Sequence, residues 1–544
     1  MRWLMLFMVF TAFLATAQVQ NRSLPSETIF IEPNAKLLIS AEELRYSLSA
    51  FSGGSYSEIS KLAMVELVNE SGQSVNRSMV MLNSGRGEGA FSIPNDFKTG
   101  AYNLIAYTRW MQNFGIDAIA SSVLKIINLN EDIDQLDLAD PNLDTASTPT
   151  TGNAIAIETD RLNYSTRERI TLKMSADDLV DVAISVRPSA PDCSFVRIDR
   201  NDSLMTSVGS LLVPEIRGDL ITGTLSLDGQ PKEGVKIFLT SAEKNFDFHA
   251  SETDSVGRFF FTTQVNSSKI FISHEPLDGE VDIRLENDYI KNHNALAPKP
   301  LIITAAEREY ITNKVEHVRV HSAYKEIIKG IAPYKKFEPF FGKADKTHLL
   351  DDYTRFVVMD EVIREYVGLV FLRRDETGYL FKVRNVDDRY IIFQENPLML
   401  VDGVPFFTTS ELMALDPLKI ELLDVVARKY YYQSTANHGI LSFRSYEGAL
   451  ENIEIPETTK EFTYDGIAQK VGHARPNYEV AGTRNSKVPD YNPQVYWNAN
   501  TTIDGSSVVQ FFTGDLTGQF DIVVSGFNNA GDQFYGKSTI QVSE

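Results

Sequence analysis

Cysteine is almost absent from this sequence: there is one, Cys193, among 544 residues. A lone thiol forms no disulfide within the chain, so stability must come from buried cores. Long apolar runs are also missing beyond the N-terminus, and we therefore expect no transmembrane segment in the mature protein. Positive charge is scarce too. The 52 basic and 73 acidic residues give a net charge of -21, which argues against nucleic acid or anionic lipid as a partner.

The N-terminus is the one long apolar stretch. Residues 1–17 read MRWLMLFMVFTAFLATA, with a positive Arg2, an apolar run and a small-residue ending. This pattern is typical of a secretory signal peptide cleaved before Gln18. The alternative is an uncleaved anchor helix, but the run is shorter than the roughly 20 apolar residues that a membrane span requires. We therefore predict export.

Short alternating segments separated by turn signals predict a mainly β, multidomain protein with immunoglobulin-like sandwiches and one small α/β unit. The chain is also too long for a single core. The predicted divisions are a signal peptide at 1–17, a sandwich at 18–130, a linker at 131–153, a second β region at 154–215, a third sandwich at 216–304, a connector at 305–352, an α/β domain at 353–450 and a C-terminal sandwich at 451–544.

Two aspartates stand at turn signals in the largely apolar stretch PLMLVDGVPFFTTSELMALDPLKIELLDVV, which begins at Pro397. Asp402 precedes Gly403, and this pair is typical of a tight hairpin whose central residues have positive φ. Asp416 precedes Pro417, where a short helix should end and a strand begin. Both carboxylates are therefore interpreted as structural turn residues, not as catalytic groups.

Other polar patterns do not complete a catalytic or metal site. The connector around His317 and His321 is predicted to be helical or mixed, and on a helix the two imidazoles would share one face and could bind a metal, but the glutamate of the zinc-protease pattern is missing. Val318 and Val320 also alternate as in a strand, in which the two histidines would lie about 13 Å apart. GRGEG lacks the Lys-Ser/Thr pair of a phosphate loop and predicts a hairpin turn. The adjacent pairs Asp351-Asp352 and Asp387-Asp388 point to opposite faces in extended backbone. We predict no catalytic residue, no metal and no cofactor.

The segment AYTRWMQNFG contains the candidate partner-binding residues Tyr107, Arg109, Trp110 and Phe114. Aromatic side chains beside an arginine are frequent anchors at protein interfaces. The alternative is that the same aromatics close the end of the first sandwich or its joint with the linker.

Five parts of the chain contain segments that can be compared with known families. In order along the chain, these segments are GAYNLIAYTRWMQNFG, ETDRLNYSTRERITL, GTLSLDGQPKEGVKIFL with TDSVGRFFF, PLMLVDGVPF with STANHGILSF, and VVQFFTGDLTGQFDIVVSG. Through them the first unit resembles macroglobulin-type domains of Gram-negative secreted proteins, and the second region resembles the start of another. The third sandwich is similar to carboxypeptidase-regulatory-like domains, the α/β domain resembles the plug of TonB-dependent receptors, and the C-terminal unit resembles an extension-domain sandwich.

The resemblance implies a non-enzymatic envelope protein in the periplasm, at the outer membrane or at the cell surface, with a protein partner such as an outer-membrane transporter. Two family features are missing: Cys193 lies in PDCSF instead of the thioester motif of macroglobulin protease traps, and fewer than 100 residues follow Glu447, where a receptor would continue into its barrel. A macroglobulin-like protein that binds proteases without a thioester is an alternative, and a hydrolase with a site between domains is a weaker one.

Overall fold

A computed structural model describes residues 25–132, 136, 138, 153–191, 212–264, 267–287, 289–324, 338–375, 378–388, 390–433, 435–468 and 475–544. The predicted signal peptide, most of the predicted linker and Cys193 lie outside these residues. Within them, the chain forms many strands in several sheets and few helices, which confirms the predicted mainly β, multidomain class.

The first sandwich is formed by a continuous part of the chain. Strand β8 (Gly100–Tyr107) is buried on both faces because residues beyond 288 cover the face away from the core. One sheet contains β1 (Thr28–Pro33), β3 (Glu43–Ser52), β4 (Ser55–Tyr56) and β7 (Arg86–Ser92), and the other β2 (Leu37–Ile39), β5 (Leu62–Asn69), β6 (Ser74–Met81), β8 (Gly100–Tyr107) and β9 (Ala120–Ile127).

The second sandwich combines two distant parts of the chain. Its central strand β14 (Val180–Pro188) lies between β30 (Tyr496–Ile503) and β32 (Gly518–Asn528) and is antiparallel to both. The remaining strands are β10 (Asn153–Ala154), β11 (Ala156–Thr159), β12 (Asn163–Ser165), β13 (Arg169–Ser175), β31 (Ser506–Phe512) and β33 (Gln533–Ser543).

This pairing differs from the predicted division at 154–215 and 451–544. The two regions are not separate sandwiches, because their apolar faces form one core. Ile184 of the early segment and Ile522 and Val524 of the late one are fully buried in it. Each region alone offers too few strands to cover its own apolar face, and the other region supplies the cover.

The third sandwich lies within the chain that joins the two halves of the second. It takes its last strand, β29 (Thr459–Thr463), from beyond the predicted boundary at residue 304, because β29 adds to the edge of β20 (Lys269–His274). The other strands are β15 (Asp219–Leu227), β16 (Gln230–Pro231), β17 (Lys236–Ser241), β18 (Phe248–Glu252), β19 (Arg258–Thr263) and β21 (Val281–Leu285).

The α/β unit is inserted into the third sandwich in turn. Its long hairpin of β27 (Ile420–Tyr432) and β28 (Thr435–Ser445) is central, and β28 runs parallel to β25 (Leu398–Val401). Its other elements are β22 (Lys346–Leu349), β23 (Val370–Asp375), β24 (Gly378–Val383), β26 (Val404–Pro405), α2 (Met359–Tyr366) and α3 (Thr409–Met413). The short helix predicted before Asp416-Pro417 is α3, and Thr408 caps it.

Helix α1 (Ala305–Tyr324) packs on the first sandwich through Ile311, Val315 and Val318. A capping box begins it: Glu307 N donates to Thr304 Oγ1 at 3.1 Å, and Thr304 N donates to the Glu307 carboxylate at 2.7 Å. The helical alternative for the connector is therefore correct and the strand alternative is wrong, because the capped start and the helical spacing of the buried residues outweigh the local alternation of valines. A one-turn helix, α4 (Ala481–Arg484), precedes the last strands.

Candidate functional sites on and between the sandwiches

The predicted partner-binding residues lie inside the molecule. Tyr107 is completely buried, and the relative solvent exposure of Arg109, Trp110 and Phe114 is at most 7%. This burial contradicts their role as exposed anchors and agrees with the alternative, in which they close the end of the first sandwich. A pattern of aromatics beside arginine does not distinguish an interface from such a plug.

Hydrogen bonds of this segment hold the chain at two joints. Trp110 Nε1 donates to Pro25 O at 2.8 Å, which secures the start of the described chain. Tyr107 Oη donates to Glu66 Oε1 at 2.6 Å and accepts from Ile290 N at 3.0 Å. Since His293 Nε2 lies 3.1 Å from both oxygens of Glu66, a buried polar cluster joins the first sandwich to the chain that follows the third.

The Asp402-Gly403 pair forms the predicted tight turn, with φ of 47° and 81° between β25 and β26. The Asp402 carboxylate is also buried and accepts three hydrogen bonds: from Ser445 N at 2.8 Å, Ser445 Oγ at 2.7 Å and Leu450 N at 3.1 Å. Asp402 therefore fixes the loop after β28 as well as its own turn. Asp416 caps a 3-10 turn by accepting from Leu418 N at 2.9 Å, as a structural residue should.

The other polar patterns are structural too. The glycine-rich GRGEG stretch enters β7 through a turn at Ser84 and Gly85, both with positive φ. His317 lies on α1, where burial lowers the pKa of its imidazole and its ring meets Tyr491 with centroids 5.6 Å apart.

Among the described residues, no three His, Cys, Asp or Glu side chains come together as a metal site. In the same part of the chain, every helix is too short or too polar to cross a bilayer.

A buried ionic network joins the first sandwich, α1 and the second sandwich. Glu42 accepts from Lys314 Nζ at 2.7 Å and from Arg187 at 2.5 Å. Gln494 Oε1 accepts from Arg187 and from Asn34, each at 2.8 Å. Burial alone raises the pKa of Glu42, but Lys314 and Arg187 outweigh it and hold that pKa below its ordinary value. The network fixes the two sandwiches relative to each other.

Exposed apolar side chains gather around Arg355 on the α/β unit. Arg355 donates to the carbonyls of Pro417 at 2.6 Å and Ile420 at 2.9 Å, and its guanidinium lies over the Tyr446 ring. Nearby, Tyr353 stacks on Tyr366 with ring centroids 4.5 Å apart. We call this the Arg355 surface; its large exposed apolar residues are Tyr353, Val357, Val358, Leu418 and Tyr446.

A cavity of about 480 Å³ lies between the first sandwich, the second sandwich and α1. Apolar groups dominate its wall, and several charged groups reach it. Sequence reasoning missed it because no local motif connects residues that come from distant segments. Its lining includes Glu32, Lys36, Ser122, Lys125, Ala183, Arg187, Glu307, Tyr310, Trp497, Asp521, Val523 and Tyr535.

The chain has distant structural similarity to bacterial α2-macroglobulins. A Salmonella α2-macroglobulin mutant (Y1175G) is 9% identical, with a TM-score of 0.25 over 95% of this chain and 40% of that one. Trypsin-activated α2-macroglobulin from Escherichia coli is 10% identical, with a TM-score of 0.25 over 95% of this chain and 42% of that one. The chain thus spans well under half the length of these proteins. A tetra-tandem repeat from the extending region of a large adhesion protein is 7% identical, with a TM-score of 0.14 over 96% of this chain and 100% of that one. No protein-family model and no curated protein matches the sequence.

Proposed function

We propose that this protein is a non-enzymatic, exported binding protein of the envelope of a Gram-negative bacterium, and that the Arg355 surface contacts a protein partner. The observation that carries the proposal is the exposure of clustered large apolar side chains on that surface. Val357 is 71% exposed and Val358 47%. A patch of exposed apolar side chains is typical of an interaction site, whereas single exposed apolar residues are common on any protein surface.

The chemistry of the surface favours a protein over a small molecule. Tyrosine and arginine are the residue types that carry much of the binding energy at protein interfaces, and Tyr353, Arg355 and Tyr446 are all present. Contacts within the unit also hold them in place, since Tyr446 Oη donates to Asp351 at 2.6 Å and Arg355 is fixed by two carbonyls. Preorganised side chains lose less entropy when a partner binds.

The proposed partner follows from the plug-like resemblance of the α/β unit, which remains a sequence prediction, as does the carboxypeptidase-regulatory-like assignment of the third sandwich. Both resemblances, together with the signal-like N-terminus, support an outer-membrane protein as the partner, and a transporter in particular. The role we propose is modular contact, with the sandwiches as a rigid support.

Site-specific cross-linking tests this proposal. A photo-reactive amino acid at position 357 should capture one membrane protein in living cells, because Val357 is the most exposed apolar residue of the Arg355 surface. The matched control is position 508, a valine that is 58% exposed on β31 of the second sandwich. The captured protein is then purified, and we expect Val357→Asp to weaken its binding at least tenfold while Val508→Asp leaves it unchanged.

Two results would contradict the proposal: equal cross-linking at both positions, or equal affinity of the two aspartate variants for the purified partner. A stable complex with a protease, formed at position 357 when a panel of proteases is added, would favour the protease-binding alternative instead.

A further inference from the structure

The cavity between the first and second sandwiches has a distinct apolar wall. Trp497 of β30 is 7% exposed, and Ala183 of β14 and Val523 of β32 lie beside it in the same sheet. Tyr310 of α1 and Tyr535 of β33 complete this side. A cavity of about 480 Å³ falls in the range of small-molecule sites, which are mostly apolar with a few placed polar groups.

Three cations line the cavity, and they differ in their partners. Lys125 Nζ lies 2.7 Å from Glu307 Oε1, and Arg187 pairs with Glu42 at 2.5 Å, so both have a carboxylate at ion-pair distance. Lys36 Nζ instead donates to the neutral Ser122 Oγ at 2.6 Å. Burial lowers the pKa of Lys36, although the nearby Glu32 partly offsets this effect. A further anion beside Lys36 would stabilise its charged form.

The acidic groups of the cavity do not already supply this anion. Asp521 is paired with Lys537 Nζ at 2.9 Å, and Glu307 is paired with Lys125. Glu32 Oε2 accepts from Ser525 Oγ at 2.9 Å, whereas its Oε1 is buried without a hydrogen-bond partner. Burial raises the pKa of Glu32 to about 7 despite smaller opposing effects of Ser525, Lys36 and Gln533. Below neutral pH, Glu32 is therefore mostly an uncharged acid.

We propose that this cavity binds a small amphipathic carboxylate, with the carboxylate on Lys36 and Ser122 and the apolar part against Trp497, Ala183 and Val523. The geometry fits because the lysine and the apolar wall line the same cavity. An amine with the same apolar part would face Lys36 as a like charge, and a neutral alcohol would gain no ion pair. The site is separate from the Arg355 surface, and its test is independent of the proposed partner.

The binding should depend on pH through Glu32. As Glu32 loses its proton near pH 7, its carboxylate becomes a competing anion beside Lys36, so affinity for a carboxylate falls as the pH rises. The titratable, charged and polar groups that face Glu32 from the surrounding elements are Lys36 after β1, Tyr56 of β4, Ser525 of β32 and Gln533 of β33, while Arg187, Asp521, Lys125 and Glu307 lie elsewhere around the cavity.

Calorimetry with octanoate, octylamine and octan-1-ol on the full chain tests the proposal. At pH 6, octanoate should bind at least tenfold more tightly than either of the other two. Lys36→Met should remove this preference and Lys36→Arg should keep it, while Lys173→Met, at an exposed lysine of β13, should change nothing. At pH 8.5 the affinity for octanoate should fall about tenfold in the wild type, and Glu32→Gln should abolish that fall.

Melting curves show that each variant is folded before its binding is compared. No binding of octanoate by the folded wild type, equal binding of octylamine, or unchanged octanoate binding in folded Lys36→Met would each overturn the proposal. Quenching of Trp497 fluorescence locates the site, since Trp497→Phe should remove the octanoate-dependent signal while the calorimetric binding remains.

Discussion

At the scale of single residues, a sequence pattern predicts the local backbone but not the distant groups that a buried side chain contacts. The pair Asp402-Gly403 predicts its turn correctly because positive φ is a local requirement that few residue types meet. The three donors that meet the Asp402 carboxylate come from residues more than 40 positions away, so no local pattern reveals them. Turn chemistry was therefore predictable, and the second role of Asp402 was not.

We predict that Asp402→Asn destabilises the α/β unit by about 1 to 3 kcal/mol. An asparagine amide replaces one acceptor oxygen by a donor, and either orientation places that donor against an N–H or hydroxyl donor of Ser445 or Leu450. Hydrogen exchange of peptides that cover β25 and β28 measures the loss. Asp416→Asn is the matched control and should change little, because asparagine caps as well as aspartate. Equal effects of the two substitutions would show that the buried contacts contribute nothing.

We also predict that Glu42 contributes stability that acid removes. Its pKa in the folded state lies below the ordinary 4.5, so its contribution is complete above that pH and is lost as pH falls through the folded-state pKa. The difference in stability between the wild type and Glu42→Gln should therefore be largest near neutral pH and shrink in acid. Melting temperatures of both proteins from pH 3 to 7 test this, and a constant difference would contradict it.

At the scale of elements, identical turns have different surroundings. The third sandwich has a second aspartate-glycine hairpin, Asp228-Gly229, with φ of 50° and 76°. A Cβ atom on Gly229 would meet nothing within 4 Å, whereas one on Gly403 would come within 2.3 Å of the Phe246 ring. The Asp402-Gly403 hairpin is thus also a contact between the α/β unit and the third sandwich, and Thr240 Oγ1 donates to Gly403 O at 2.8 Å across it.

We therefore predict a graded response to valine in the two hairpins. Gly229→Val should cost about 1 to 3 kcal/mol, since backbone strain is the only penalty. Gly403→Val should cost about 1 to 3 kcal/mol more, because the side chain must also displace Phe246. Calorimetric unfolding measures both, and limited proteolysis between the two units reports their separation. Equal losses of stability in the two variants would mean that the Phe246 ring moves aside at no cost in free energy.

The element scale also decides between the two alternatives for α1. The alternating valines around the two histidines fit a strand locally, but Thr304 and Glu307 begin a helix, and that capping signal is present in the sequence. Tyr107, Arg109, Trp110 and Phe114 of the AYTRWMQNFG segment show the limit of such local signals, since their side-chain types are given by the sequence but their burial depends on the chain segments that cover them.

At the scale of the whole molecule, the units are nested. In the sequence, the α/β unit is inserted between two strands of the third sandwich, and the third sandwich is inserted between two strands of the second. Sequence patterns predicted the individual strands, because alternation is local. Their partners were not predictable, since Ser189 and Asp521 meet at 2.8 Å across a separation of 332 positions. The cavity between the first and second sandwiches depends on the same pairing.

We predict that the fragment 451–544 does not fold alone. Its strands lack β13 and β14, against which β31 and β32 pair. Circular dichroism and proton NMR should show an unfolded chain, and addition of a fragment covering 153–191 should restore dispersed signals. The first sandwich, expressed as residues 25–132, is the control and should fold, since its strands are contiguous. An independently folded 451–544 would restore the original division.

The nesting also sets an order of assembly in time. Loop closure costs entropy that grows with the logarithm of loop length, so joining β14 to β32 directly from an open chain is slow. If the α/β unit and then the third sandwich close first, each brings its flanking segments together and shortens the remaining loop. The second sandwich would then be the last part to form. Until its C-terminal strands are synthesised, the unpaired backbone N–H and C=O groups of its early strands would stay exposed. A chain of this design is most exposed to aggregation during synthesis, and a chaperone that shields those edges would raise its yield more than any gain in final stability.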